Sequence, residues 1–317
     1  MQVGARTGLR PTPAFGPALR SFARSHKRDI SRDATILIGV AAGVAQARGY
    51  VATPIDAVNY WAAGTSAELY PDQWGHWWGG QYLYYPPPTS QLSGLLQPLG
   101  WQLFIVAWTT LIFMSMWYCA RDWSVPLLVL GLPAILWDVP YVGTFASYAL
   151  NGNMQWILAA SVLVALRHPA AWAVTAVTKV TPAVGILWHI VRREWRSTSQ
   201  AIGATAIVLL VSLAVSPHVW IDWAGFTIRN YTLENAPIPL FPVPFGIRLG
   251  TAAVLVVWGA RTDRRWTVPV AAGWALPALY GLGFLPFWIV ALQLTDLPNR
   301  SAILHVLRRP TAGEAAG

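Results

Sequence analysis

Three carboxylates, Asp56, Glu68 and Asp72, lie in one stretch, "YVATPIDAVNYWAAGTSAELYPDQWGHWWGGQYLYYPPP" at 50–88, which is crowded with Trp and Tyr and free of Lys and Arg. A positioned carboxylate can take a proton from an attacking hydroxyl. Aromatic faces suit sugar rings, whose C–H faces are apolar while their hydroxyls need partners. Asp56 follows Pro54, and i, i+3, i+4, i+7 spacing puts Asp56, Asn59, Tyr60 and Ala63 on one face of a helix over 56–64. Asp56 therefore has two readings: a carboxylate stabilised at a helix N-terminus, and a general base. Spacing leaves both open. Trp74, Trp77, Trp78, Tyr82, Tyr84 and Tyr85 read either as an interfacial belt or, with Asp72 and His76, as a sugar or acceptor platform. Glu68 reads as a solvated loop charge.

The cations are sparse enough to be informative. The chain has two lysines, and Lys179 lies inside an apolar run beside Thr181 and Pro182. A charge at membrane depth costs about 2.5–3.5 kcal/mol on insertion scales and marks a functional candidate, with snorkelling as the alternative. Arg248, in "FGIRLGTAAVLVVW", sits near the outer end of another run, while His218 and Arg229 fall in a later outer loop. These four groups could receive a phosphate arriving on a lipid carrier. Asp138, Asp222 and Glu234 read as caps or cavity-lining groups, and Asn151 and Asn153 in "NGNMQW" as a turn leading into a helix in the same compartment. The single cysteine, Cys119, excludes an intrachain disulfide and a thiol-metal cluster. Neither metal nor cofactor is expected.

The elements that must position these groups are membrane helices. Of 317 residues, 55% are hydrophobic and 11% charged, against about 25% charged in soluble domains. The net charge of +9 does not imply nucleic acid, because the arginines cluster in the N-terminal tail and in short loops between apolar runs, as topology in a bilayer requires. The runs fall at roughly 34–48, 95–120, 124–140, 154–166, 169–191, 198–216, 243–260, 266–282 and 283–296. They predict an all-α, polytopic bundle of about 8–10 membrane segments, some short or re-entrant. A basic tail, 1–33, and a C-terminal tail, 300–317, would be cytoplasmic, flanking one transmembrane domain over 34–299. "ATILIGVAAGVAQA" ends in an Ala-Gln-Ala resembling a signal-peptidase site, but the long basic stretch before it favours an uncleaved helix. With Arg121, Arg167, "RREWR" at 192–196 and "RTDRR" at 261–265 inside, the loops 49–94, 141–153 and 217–242 lie outside. Arg167 and Arg192 then share a side with only one run between them. That parity predicts a re-entrant hairpin over 169–191, with a kinked full span as the alternative.

Asp56, "NYWAAG", "LYP" at 69–71, "YLYYPPP" at 82–88 and "TKVTPAVGILWHIVRREWR" at 178–196, in that order, resemble glycosyltransferase family 87 of the GT-C superfamily, which includes actinobacterial mannosyltransferases. The resemblance spans about 34–220, where "SPHVW" at 216–220 is similar to the family's Ser-Pro segment, and beyond that the pattern departs. It implies a metal-independent transfer of a sugar, mannose being the expectation, from a polyprenyl-phosphate donor to a glycolipid or glycan acceptor of the cell envelope. Transfer would occur on the outer face of the plasma membrane, with Asp56 as base. Two other classes fit an intramembrane charge and broken helices: a transporter or flippase of lipid-linked sugars, and a non-catalytic membrane assembly protein.

Overall fold

The computed structural model describes residues 26–51, 54–64, 69–70, 85–136, 149–230, 243–277 and 283–295. Glu68, Asp72, His76, Tyr84, Asp138 and Glu234 lie outside them, as do the C-terminal tail and most of the N-terminal one. Every regular element among the described residues is helical. In chain order they are α1 (Lys27–Ala47), α2 (Ile55–Ala63), α3 (Pro87–Leu96), α4 (Gly100–Ala120), α5 (Ser124–Leu136), α6 (Gln155–Ala165), α7 (Trp172–Thr178), α8 (Leu187–Val191), α9 (Trp195–Val215), α10 (Pro217–Asn230), α11 (Phe245–Arg261), α12 (Thr267–Trp274) and α13 (Leu285–Leu294). Each expected apolar run overlaps at least one of these helices, and 169–191 holds two, α7 and α8. Two stretches, Pro87–Gly131 and Trp195–Val215, are long and apolar enough to cross a membrane. Several of the others are shorter than a bilayer requires.

Two boundaries differ from expectation. The first helix starts at Lys27 rather than 34, because an i,i+3 pair between Asp29 and Arg32 and an acidic first turn let it extend into the basic segment. The expected outer loops are also more structured than spacing suggests: 49–94 holds, besides the expected helix α2, most of α3, and 217–242 contains α10. Pro87 and Pro88 occupy the first turn of α3, where the missing N–H groups cost nothing.

The packing of α1 on α4 is inside-out by the standards of a protein in water. The buried stripe of α1 is Ser31, Thr35, Gly39, Gly43 and Gln46, while Leu37, Ile38, Val40 and Val44 face outward. A Cβ on Gly39 would lie 2.6 Å from Phe113 Cβ, and one on Gly43 would lie 2.8 Å from the Val106 backbone. The two glycines thus let the backbones approach, as small residues four apart do between helices in lipid. Hydrogen bonds complete the packing: Thr109 of α4 donates to Gln46 Oε1 at 2.7 Å, and Thr35 Oγ1 lies 2.8 Å from Ser124 Oγ at the start of α5. The long helix α9 likewise buries only Thr198, Ala201 and Ser212 and exposes Ile202, Ile207, Leu210, Val211 and Leu213.

The run 169–191 doubles back on itself. Helix α7 ends at Thr178, and Thr181 N–H donates to Lys179 O at 2.6 Å across Val180, whose φ is 54° and ψ −64°. This is the rare, strained form of the three-residue γ-turn. The chain then returns as a short 3-10 stretch, Thr181–Ile186, and α8. Trp172 packs against Gly185, where any Cβ would collide with its ring. Residues thirteen positions apart can meet in this way only if the two limbs lie side by side. At the open end, Arg192 bonds Glu194 at 2.9 Å and Asp263 at 2.7 Å, and His189 Nδ1 lies 2.7 Å from Glu194. Those bonds join the hairpin's base to the α11–α12 turn.

Candidate functional site

Asp56 lies in the first turn of α2, whose N-cap, Pro54, has no side chain able to cap. The missing cap comes from another part of the chain. Asn151 Oδ1 accepts the Ile55 N–H at 3.1 Å, and Asn151 O accepts the Asp56 N–H at 3.1 Å. The same turn meets the carboxylate itself, with Asn153 Nδ2 donating to Asp56 Oδ2 at 2.9 Å and Asn151 Nδ2 to that oxygen at 3.2 Å. Gly152, between them, has φ +79°, and a Cβ there would lie 2.5 Å from Ala57 Cβ, so only glycine fits. Trp108 Nε1 holds Gly152 O at 2.8 Å, and Gln46 Nε2 holds Leu150 O at 2.6 Å. Asp56 as a whole is half-buried, and protein crowds its carboxylate closely. Burial pushes the Asp56 carboxyl up from its ordinary value, and the Asn153 bond and the Lys179 charge draw it back in part.

Tyr60, one turn along α2 from Asp56, is buried, and its hydroxyl lies 2.9 Å from that of Tyr85. The two rings meet edge-on at 5.4 Å, and Trp108 backs Tyr60 at 5.3 Å. Tyr70 fixes Tyr85 from the other side by donating to its carbonyl at 2.7 Å, and packs on Phe226 of α10. The ammonium of Lys179 stands over the Tyr85 ring, 5.3 Å from its centroid, in a cation–π contact. Lys179 is close enough to Asp56 for each charge to act on the other, yet the two form no ion pair. No family model, no curated protein and no solved structure matches the chain. What the site can do therefore rests on its own atoms. It brings a carboxylate and a cation within reach of each other's charge beside a pair of bonded tyrosines, with the hairpin tip as one boundary.

The remaining candidates scatter. Asn59 is half-buried on α2 beside this cluster. His218 is exposed in the first turn of α10, and Arg229 falls near that helix's end. Arg248, expected to receive a phosphate, is otherwise engaged. It is buried, and its guanidinium donates to four carbonyls, Val243 at 3.1 Å, Trp274 at 3.1 Å, Leu276 at 2.6 Å and Pro277 at 3.0 Å. It closes the C-terminal end of α12, where carbonyls lack helical partners and a cation is favoured. A groove on the outer face of α11, bounded by Ile247, Val254 and Trp258, holds no titratable group. Among the described residues no group of three His, Cys, Asp or Glu could hold a metal ion. Asn151 and Asn153 were legible only as a turn. Their contact with Asp56 spans some ninety-five positions and leaves no spacing signal.

Proposed function

We propose that the chain is an integral membrane glycosyltransferase that moves a sugar, mannose by its resemblance to family 87, from a polyprenyl-phosphate donor to a glycolipid or glycan acceptor of the cell envelope. The observation that carries this reading is the nearness of Asp56 and Lys179 beside Tyr60 and Tyr85. Asp56 accepts the proton of the acceptor hydroxyl as that oxygen attacks the anomeric carbon. The bond from that carbon to the donor phosphate breaks, and its electron pair leaves with the polyprenyl phosphate. Lys179 meets the phosphate charge, and such a leaving group needs little protonation. Asn59 and Tyr85 would contact sugar or acceptor, joined by Asp72, His76 and Tyr84 from the same loop, while Tyr60, expected to do the same, is buried and supports Tyr85 instead, and His218 and Arg229 would serve the donor from the later loop. No metal, cofactor or nucleic acid enters this scheme.

In this reading the helices form a bundle of about 8–10 membrane segments, several short. The N-terminus is cytoplasmic and the site faces outward. The outward aliphatic faces of α1 and α9 and the small-residue seam against α4 support it. So does the strained break at Lys179, since non-helical backbone at membrane depth persists only where protein or a wet cavity covers it. The test is to supply membranes containing the protein with labelled polyprenyl-phosphate mannose and candidate acceptors. Label should enter a glycosidic product, and Asp56→Ala should abolish it while the protein still inserts. Substantial transfer by that variant removes Asp56 as the base. The broken hairpin equally suits a transporter of lipid-linked sugars; flipping of labelled lipid in vesicles without a new glycosidic bond would favour that reading.

A further inference from the structure

We infer that the Asn151-Gly152-Asn153 turn is a positioning device that dedicates one oxygen of the Asp56 carboxylate to proton acceptance. Both side-chain amides converge on Oδ2, at 2.9 Å and 3.2 Å. Oδ1 takes no hydrogen bond among the described residues. A carboxylate with both oxygens free rotates and presents either one. Here the lone pairs of Oδ2 are occupied and the plane of the group is fixed, so Oδ1 is the atom left to receive a proton. Calling that proton the acceptor hydroxyl's rests on the glycosyl-transfer reading; the orientation of the carboxylate does not.

The turn is held as a rigid body. Gly152 O is tied to Trp108 of α4 and Leu150 O to Gln46 of α1. Asn153 Oδ1 accepts the Gln155 N–H at 3.0 Å and so caps α6. Asn151 Oδ1 caps α2. Each asparagine thus uses its carbonyl for a helix and its amide for Asp56, which locks both amide flips. The amides are neutral and cannot take the proton themselves. They favour the ionised carboxylate without competing for its task. Among the described residues, the other polar and charged groups that act on Asp56 or feel its charge are Lys179 from the hairpin tip and Tyr60 from its own helix, with Tyr85, before α3, bonded to Tyr60.

The capping and positioning roles separate experimentally. Asn153→Ser keeps an oxygen able to cap α6 but is too short to reach Asp56. Asn151→Ser does the same for α2. A hydrophobic carbodiimide modifies only protonated carboxyl groups. The extent of labelling of the Asp56 peptide against pH, read by mass spectrometry, therefore reports its ionisation without any assay of transfer. Asp56→Asn should remove the label. In each serine variant the labelling midpoint should move to higher pH, by about one unit, the worth of one hydrogen bond to a charged group. Thermal unfolding should stay close to that of the unaltered protein. Where transfer is measured, kcat should fall about tenfold with KM little changed, since the loss is felt at the reacting proton. Unmoved midpoints in both serine variants would overturn the inference. Shifted midpoints in a protein that never transfers sugar would keep the positioning role and sink the glycosyltransferase reading instead.

Discussion

At Asp56 two demands oppose each other. The site crowds the carboxylate, which raises its proton affinity, while Asn153 and Lys179 favour the charged form. Burial is the largest of these influences, so the folded value lies above that of free aspartate, about 3.9. A general base must be ionised, and transfer should fall as pH drops through this raised value. We predict an acid limb in kcat/KM at higher pH than an ordinary aspartate would give, and Lys179→Gln should move that limb further alkaline by removing the favourable charge. The same variant should weaken donor use roughly 10- to 100-fold, the scale of a charged hydrogen bond, measured as KM for the polyprenyl-phosphate sugar. The linkage to stability has the opposite sign. A carboxyl whose value is raised by folding stabilises below its unfolded value, and that contribution is lost as pH rises through the folded one. Asp56→Asn, which removes the penalised charge, should therefore melt at or above the temperature of the unaltered protein at neutral pH, although transfer drops roughly 10²- to 10⁴-fold.

Among the elements, the hairpin governs where Lys179 stands. Its two limbs close only because residue 185 has no side chain, so Gly185→Ala should force the Trp172 ring aside. Overpacking of this kind costs about 1–3 kcal/mol, visible as a lower thermal midpoint, and it should also displace the hairpin tip and reduce transfer. Arg248→Lys should destabilise in a similar way, since an ammonium lacks the planar fork that reaches several carbonyls at once. What the sequence disclosed here follows physical lines. The reversal at 169–191 was readable because Arg167 and Arg192 claim the same side across one apolar run. Lys179 was conspicuous because charge is rare in such runs. The role of Arg248 was hidden because its partners are backbone carbonyls, which no residue type announces. The Asn151 and Asn153 contacts were hidden because they join distant helices through a turn that reads like any other.

For the molecule as a whole, orientation can be checked with cysteine chemistry, since the native Cys119 is fully buried. In intact cells a membrane-impermeant thiol reagent should label Tyr50→Cys, while Arg193→Cys should react only after permeabilisation. The reverse pattern would put Asp56 on the cytosolic side, beyond reach of any outer-leaflet donor. The seam between α1 and α4 bears on how the protein can be handled. The α1 face buried there is made of serine, threonine, glycine and glutamine and its outer face of leucine, isoleucine and valine, so in the proposed membrane setting its cohesion would depend on close fit and hydrogen bonds in surroundings as oily as the helix itself. Dispersed in water without an amphiphile, that first helix would have every thermodynamic reason to roll over.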